Sequence, residues 1–161
     1  MNRPSKLFAA CAGSVLSLSV YADEQSVQQC QSIDEKQVSA LFERWNDDLV
    51  AGDPKQVVEN YAQDSILLPT LSNTPRHTAA EKEDYFVHFL EKKPNGSVNE
   101  RVIQIGCNTA WDAGIYTFEF ADGAAVKARY TFTYKWDPDE QQWLITSHHS
   151  SAMPEIVPVL D

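Results

Sequence analysis

Residues 124–137, AAVKARYTFTYKWD, carry the clearest secondary-structure pattern in this chain. Apolar and polar side chains alternate along them, which is typical of a β-strand with one buried face. The apolar face holds Val126, Ala128, Tyr130, Phe132, Tyr134 and Trp136. The polar face holds Lys127, Arg129, Thr131, Thr133 and Lys135. The aromatic face is therefore either packed against a helix or covered by a partner, and Arg129 lies mid-strand on the opposite face.

The flanking segments extend this strand into a sheet. A period of two predicts further strands near 97–108, 112–121 and 141–150, separated by turn dipeptides such as Asp122-Gly123 and Asp137-Pro138. A short apolar run predicts one more strand at 65–69.

Helices precede the long strands. The capping boxes Ser32–Glu35 and Thr78–Glu81 each predict a helix start, and Asp53-Pro54 predicts a third. Apolar residues at helical spacing continue each start, over about 33–51, 54–61 and 79–90. Helices followed by an antiparallel meander predict one α+β domain, which we delimit as residues 32–155.

Length and charge narrow the class of protein. The chain has 161 residues, enough for one domain, and a formal net charge of −10. Such a charge argues against nucleic acid and anionic membranes as partners.

The N-terminus predicts export. Residues 1–22 combine a basic start, a short apolar run and a Val-Tyr-Ala cleavage site, which is typical of a secretory signal peptide. Residues 23–31 are predicted to be flexible, and residues 156–161 to form a C-terminal tail. After cleavage Cys30 and Cys107 remain, and in a periplasmic or secreted protein they are expected to form a disulfide, with two buried thiols as the alternative.

Several stretches together resemble the association domain of calcium/calmodulin-dependent protein kinase type II, in its free-standing bacterial form within the nuclear transport factor two-like superfamily. They are LFERWNDDLVAGDPKQVVENYAQDSILLPT, DYFVHFL, YTFEFADG, ARYTFTYKW and QWLITSHHSSAMPE. The resemblance covers about residues 33–155 and implies a curved antiparallel sheet wrapped around a long N-terminal helix, a cone with an internal pocket. It also implies dimers or larger rings formed through the sheet, with Tyr130, Phe132 and Tyr134 at the interface.

The resemblance also implies an anion site. Arg129 matches an arginine inside the pocket of the kinase's association domain. Ser150 stands where that association domain has a second arginine. Arg76 could substitute for the second arginine if its loop folds toward the pocket. A structural ion pair is the alternative role for Arg129. The sequence lacks the motifs of a kinase catalytic domain.

Other candidate residues carry weaker arguments. His148 and His149 point to opposite faces of a regular strand, and we consider His149 as a pocket group or general base. Asp64, just before a predicted strand, and Asp112, in the turn-like stretch Trp-Asp-Ala-Gly at 111–114, are possible catalytic bases, although both are common structural positions. Trp45, Tyr61 and Tyr85 lie on apolar helix faces as core or as pocket lining. No metal-ligand spacing or cofactor motif is evident, and no catalytic residue is assigned.

Two functions follow as hypotheses. The first is an exported, non-kinase, oligomerising domain that binds a small anionic or carboxylate-bearing molecule without catalysis. The alternative is a cofactor-independent lyase or isomerase, similar to polyketide cyclases, that works by general acid–base chemistry.

Overall fold

The computed structural model describes residues 29–154 of the chain. The predicted signal peptide at 1–22 and the predicted tail at 156–161 lie outside these residues. No helix within 29–154 is both long and apolar enough to span a membrane.

Three helices form the first part of the domain: α1 (Glu35–Ala51), α2 (Pro54–Glu59) and α3 (Ala79–Leu90). The capping box of α3 is confirmed, because Thr78 and Glu81 bond each other's backbone amides. The capping box predicted for α1 is wrong, since Asp34 caps this helix and pairs with Gln37. The carboxylate of Asp34 takes the role expected of the Ser32 hydroxyl.

Five strands form one sheet: β1 (Tyr61–Leu68), β2 (Asn95–Gly106), β3 (Thr109–Glu119), β4 (Ala125–Asp137) and β5 (Gln142–Ala152). Their spatial order is β1-β5-β4-β3-β2. The long strands pair antiparallel as predicted, whereas β1 pairs parallel with β5, so the sheet is mixed at that edge. Tyr61, predicted on α2, begins β1.

The core lies between α1 and the inner face of the sheet. Phe42 of α1 contacts Tyr130 and Phe132 of β4, with ring centroids 6.2 and 6.1 Å apart. Trp45, one turn further, lies 5.3 Å from the Phe132 ring. The predicted α+β class, with the sheet wrapped around the N-terminal helix, is confirmed.

This packing decides which face of β4 is inside. Tyr130, Phe132 and Tyr134 are only 3, 0 and 2% exposed, because α1 covers them within the subunit. Their assignment to an oligomer interface is therefore wrong. Arg129 lies on the outer face, exposed, and donates to the Ala152 carbonyl at 3.1 Å.

A disulfide joins Cys30 to Cys107, as predicted. It fixes the segment before α1 to the turn between β2 and β3. Gln31 supports the same contact by donating its backbone N–H to the Asn108 side chain at 2.6 Å. Residues 29–31, at the end of the segment predicted to be flexible, are thus tied to the domain. A disulfide is typical of proteins outside the reducing cytoplasm.

Candidate functional site

A cavity of about 360 Å³ lies between α3, the loop after β1 and the inner face of β3, β4 and β5. Most of its lining is apolar: Trp45, Leu67, Pro69, Leu71, Tyr85, Phe86, Phe89, Phe118, Phe120, Val126 and Ala128. The buried polar groups of the lining belong to Tyr116, His148 and Ser150, the half-buried ones to Thr70 and Arg76, and the exposed ones to Asp84, His88 and Lys92. An apolar cavity with a few convergent polar groups is the usual form of a small-molecule site.

Three hydroxyl groups meet in this cavity. The Tyr116 hydroxyl donates to Ser150 Oγ at 2.5 Å, and Ser150 Oγ also contacts Thr70 Oγ1. Burial raises the pKa of Tyr116, so its hydroxyl keeps its proton. Three O–H groups share two bonds inside the cluster, which leaves one O–H, on Ser150 or on Thr70, free to donate.

His148 lies two residues before Ser150, on the same face of β5. The Trp45 indole N–H donates to the Tyr61 hydroxyl at 3.1 Å, and that hydroxyl lies 2.9 Å from His148 Nδ1. Because Tyr61 already accepts from Trp45, its own proton is best satisfied by donation to Nδ1. We infer from this network that Nε2 carries the ring proton. Within residues 29–154, Nε2 has no hydrogen-bond partner.

The His148 ring is neutral. Burial, followed by the nearby His149, lowers the pKa of His148 to about 3. At neutral pH the residue therefore presents an N–H donor without a positive charge.

Arg76 supplies a cation at the cavity. Its backbone pairs with Leu67 in an isolated bridge beyond β1, and its guanidinium carbon lies 6.0 Å from the centre of the Tyr85 ring. One guanidinium N–H bonds the Thr74 carbonyl at 3.4 Å, whereas Nε is buried without a partner among the described residues. The predicted substitute arginine thus reaches the cavity.

A second buried polar cluster lies beside Phe42 on the same inner face. Asp112 is fully buried and accepts from the Tyr130 hydroxyl at 2.8 Å. Arg101 Nη2 lies 3.0 Å from Asp112 Oδ2, a charge contact in which the N–H is not aligned for a hydrogen bond. Burial raises the pKa of Asp112, although Tyr130 and Arg101 act in the opposite direction. This carboxylate does not line the cavity.

The structure brings together only part of the predicted site. Trp45, Tyr85 and Arg76 line the cavity, and Tyr61 lies behind it, bonded to His148. Arg129 does not, because it points away from α1. His149 and Asp64 are also exposed and absent from the lining, so neither is placed as a base for chemistry inside the cavity. Asp112 lies within β3 rather than in the predicted turn.

Seven polar residues of the cavity were not among the predicted ligand-binding residues: Thr70, Tyr116, His148 and Ser150, with Asp84, His88 and Lys92 nearer the solvent. One sequence signal was available for two of them. His148 and Ser150 stand two apart on one strand and must share a face. The resemblance points to Ser150 only as the position where a second arginine is missing. Within residues 29–154, no group of three or more His, Cys, Asp or Glu side chains is arranged to hold a metal ion.

Comparison with known proteins agrees with this geometry. A protein from Xanthomonas campestris, described as a calcium/calmodulin-dependent protein kinase II association domain, is 44% identical, with a TM-score of 0.73 over 78% of this chain and 91% of its own. The iota-carbonic anhydrase of a cyanobacterium, solved with bicarbonate, is 24% identical, with a TM-score of 0.69 over 77% and 94% of the two chains. An NTF2-like protein of unknown function from Pseudomonas putida KT2440 is 14% identical, with a TM-score of 0.67 over 80% and 92%. Among curated proteins, none matches this chain with significance.

NTF2-like proteins share this fold, in which a sheet is wrapped around a long helix. The sequence profile of the calcium/calmodulin-dependent protein kinase II association domain matches residues 34–154. The chain belongs to this association domain family.

Proposed function

We propose that the cavity binds a small carboxylate, or an anion of similar shape such as bicarbonate. The single observation that carries this proposal is the surplus of donors among buried groups. The hydroxyl cluster has one O–H to give, and His148 offers a neutral N–H two residues away. His148 and Ser150 are about 6.6 Å apart along β5, which leaves room for a planar anion between their side chains.

Arg76 complements these two neutral donors with a positive charge. Buried donors without acceptors are costly, so an acceptor-rich ligand satisfies them at a gain. An anion that accepts from a guanidinium forms the stronger, charge-assisted type of hydrogen bond. A protein of the same fold, the iota-carbonic anhydrase, was solved with bicarbonate, which supports an anion of this size as a ligand.

Ser150→Ala tests the proposal by removing the centre of the hydroxyl cluster. Bicarbonate and acetate should bind the wild type in calorimetry, and the variant should bind each about tenfold more weakly, as expected for one lost hydrogen bond to an anion. Ser147→Ala is the matched control, because Ser147 lies on the same strand but does not line the cavity. Equal binding by the Ser150→Ala and Ser147→Ala proteins would contradict the proposal.

A second candidate is a lyase that works without a cofactor by proton transfer. The chain of hydrogen bonds from Trp45 through Tyr61 to His148 favours it, because Nε2 can donate its proton to a bound molecule while Tyr61 protonates Nδ1, and the Tyr61 phenolate that results still accepts from the Trp45 N–H. Hydration of carbon dioxide is the reaction to assay first, given the bicarbonate-bound neighbour. His148→Gln should abolish this activity and His149→Gln should keep it; a wild type without activity leaves binding alone as the function.

The disulfide and the family support two further features of the proposed function. We expect an exported protein, which intact-mass analysis from the native host checks by a chain beginning at Asp23. We also expect self-association through the outer face of the sheet, where Val102 is 55% exposed and Trp111 and Ile115 are half-buried. Ile115→Lys should reduce the mass measured by light scattering, and Val50→Lys on α1 should not; unchanged mass in both would exclude this face.

A further inference from the structure

The cavity has far more apolar surface than a small anion can use. A row of side chains runs from Tyr116, at the hydroxyl cluster, through Phe118 of β3 to Phe120, the residue after the end of this strand. At about 3.3 Å per residue, this row extends roughly 13 Å from the polar end of the cavity. Phe89 of α3 lies over the far part of the row, 5.6 Å from Phe118 and 6.2 Å from Phe120.

These aromatic side chains are not closed off by protein. Tyr85, Phe89 and Phe120 are only half-buried although they pack on the core cluster. Ala128, which is buried and lines the same cavity, contributes only a methyl group where Tyr130, two residues further on the same face of β4, contributes a ring. Small and aromatic residues together therefore keep a space open that a uniformly large set would fill.

The volume of this space is larger than a small anion needs. At about 30 Å³ per water molecule, 360 Å³ corresponds to roughly twelve waters. With an anion of four non-hydrogen atoms bound, water would still fill most of the cavity, in contact with aromatic rings. Removing that water by an apolar group is favourable, in proportion to the area covered.

We propose that the ligand is an amphipathic monocarboxylate with an apolar body of about six to ten non-hydrogen atoms. Its carboxylate lies at Ser150 and His148, and its body lies along Phe118 and Phe120 beneath Phe89. This assignment rests on the proposed anion site and adds the class of molecule that fills the remainder of the cavity.

Calorimetry with a series of probes tests the assignment: bicarbonate, acetate, butyrate, hexanoate and phenylacetate, with hexanol as the uncharged match to hexanoate. Affinity should rise about two- to fourfold for each added methylene until the cavity is full, since burial of one contributes up to about 0.8 kcal/mol. Hexanol should bind at least tenfold more weakly than hexanoate.

The affinities of variants for hexanoate test where the apolar body of the ligand binds. Phe89→Ala and Phe120→Ala should each lower hexanoate affinity at least tenfold while acetate affinity stays within twofold. Val87→Ala is the control, because Val87 is exposed on the same helix and does not line the cavity. Ser150→Ala should lower the affinity of all carboxylates by the same factor.

The outcomes separate this inference from the proposed anion site. If acetate and bicarbonate bind but affinity does not rise with chain length, the amphipathic ligand is excluded and the anion site stands. If hexanol binds as tightly as hexanoate, or no carboxylate binds, the anion site itself is excluded.

Discussion

The inner face of the sheet carries two buried polar clusters, and they differ in how their charges and hydrogen bonds are completed. At Asp112, a carboxylate meets the Arg101 guanidinium and the Tyr130 hydroxyl, so donors and acceptor come from the same chain. At Ser150, hydroxyl groups lie two residues from the His148 ring, and none of them forms a hydrogen bond with a carboxylate of residues 29–154, although the exposed Asp84 lines the same cavity. Both clusters lie among aromatic rings, so desolvation does not distinguish them.

The balance of charge distinguishes them, since buried donors without a hydrogen-bond partner occur at Arg101 as well as at His148. The cluster at Asp112 contains its own anion, which makes it a structural pair. The cluster at Ser150 has no hydrogen-bonded carboxylate among the described residues, and this difference is the reason for proposing an anion from outside there. A buried ion pair is thus a weaker indication of a binding site than buried donors without an anion beside them.

Removal of Asp112 should have the largest effect on stability. Asp112→Ala leaves Arg101 without its counter-ion and the Tyr130 hydroxyl without its acceptor. The free energy of unfolding should fall by about 3 kcal/mol, the low end for a broken buried pair, because the Arg101 side chain is 21% exposed. Urea denaturation measures the change. Asp64→Ala, at an exposed position on β1, should change it by less than about 0.5 kcal/mol.

The same experiment can contradict the comparison. If Asp112→Ala folds with wild-type stability but loses acetate binding, the cluster at Asp112 is the ligand site and not a structural pair. We expect stability to fall and, in the folded fraction, acetate affinity to stay within twofold.

His148 should make stability depend on pH. Its pKa is about 3 in the folded protein and near 6.5 when unfolded, so the unfolded chain binds the extra proton between these values. Its contribution to stability is therefore complete above about pH 6.5 and is lost as the pH falls toward 3. The free energy of unfolding should change by up to about 1.4 kcal/mol per pH unit in this range because of this residue.

His148→Gln removes the titrating ring. The free energy of unfolding of this variant should therefore depend less on pH below about pH 6.5 than that of the wild type. The difference between wild type and variant, from urea melts at pH 7, 6, 5 and 4, should shrink as the pH falls. His149→Gln is the control, since that ring is exposed on the other face. Parallel curves for wild type and His148→Gln would mean that the ring is solvated, and that the donor at Nε2 is not buried.

Sequence patterns predicted the elements better than the site. The alternation on β4 separated its two faces correctly, but alternation alone does not say which face α1 covers. Aromatic residues suit a core and an interface equally well. The resemblance to the kinase's association domain favoured the wrong face as the inner one, because it aligned Arg129 with a pocket arginine. Because the two faces of β4 were exchanged in this prediction, Tyr130, Phe132 and Tyr134 were expected at an oligomer interface. For the same reason, Arg129 was expected inside the pocket.

Two further errors have local causes. Asp112 was assigned to a turn because Asp-Ala-Gly is typical of one, yet Gly114 lies inside β3, where a Cβ would stand 1.8 Å from the Glu100 carbonyl oxygen. This close approach accompanies the irregular pairing of β2 near Glu100. The parallel contact of β1 with β5 is non-local, and no short-range pattern in either strand predicts it.

Arg129 should have the smallest effect, and it tests the assignment of the faces most directly. Its guanidinium is exposed and bonds only the Ala152 carbonyl among the described residues. Arg129→Ala should therefore change the free energy of unfolding by less than about 0.5 kcal/mol and leave acetate affinity within twofold. Arg76→Ala is the matched variant, because it removes the same group from the cavity lining; it should weaken acetate binding about 10- to 100-fold, as expected for a charge-assisted hydrogen bond. If Arg129→Ala weakened binding and Arg76→Ala did not, the inner and outer faces of β4 would be exchanged, and both clusters compared above would lie on the wrong side of the sheet.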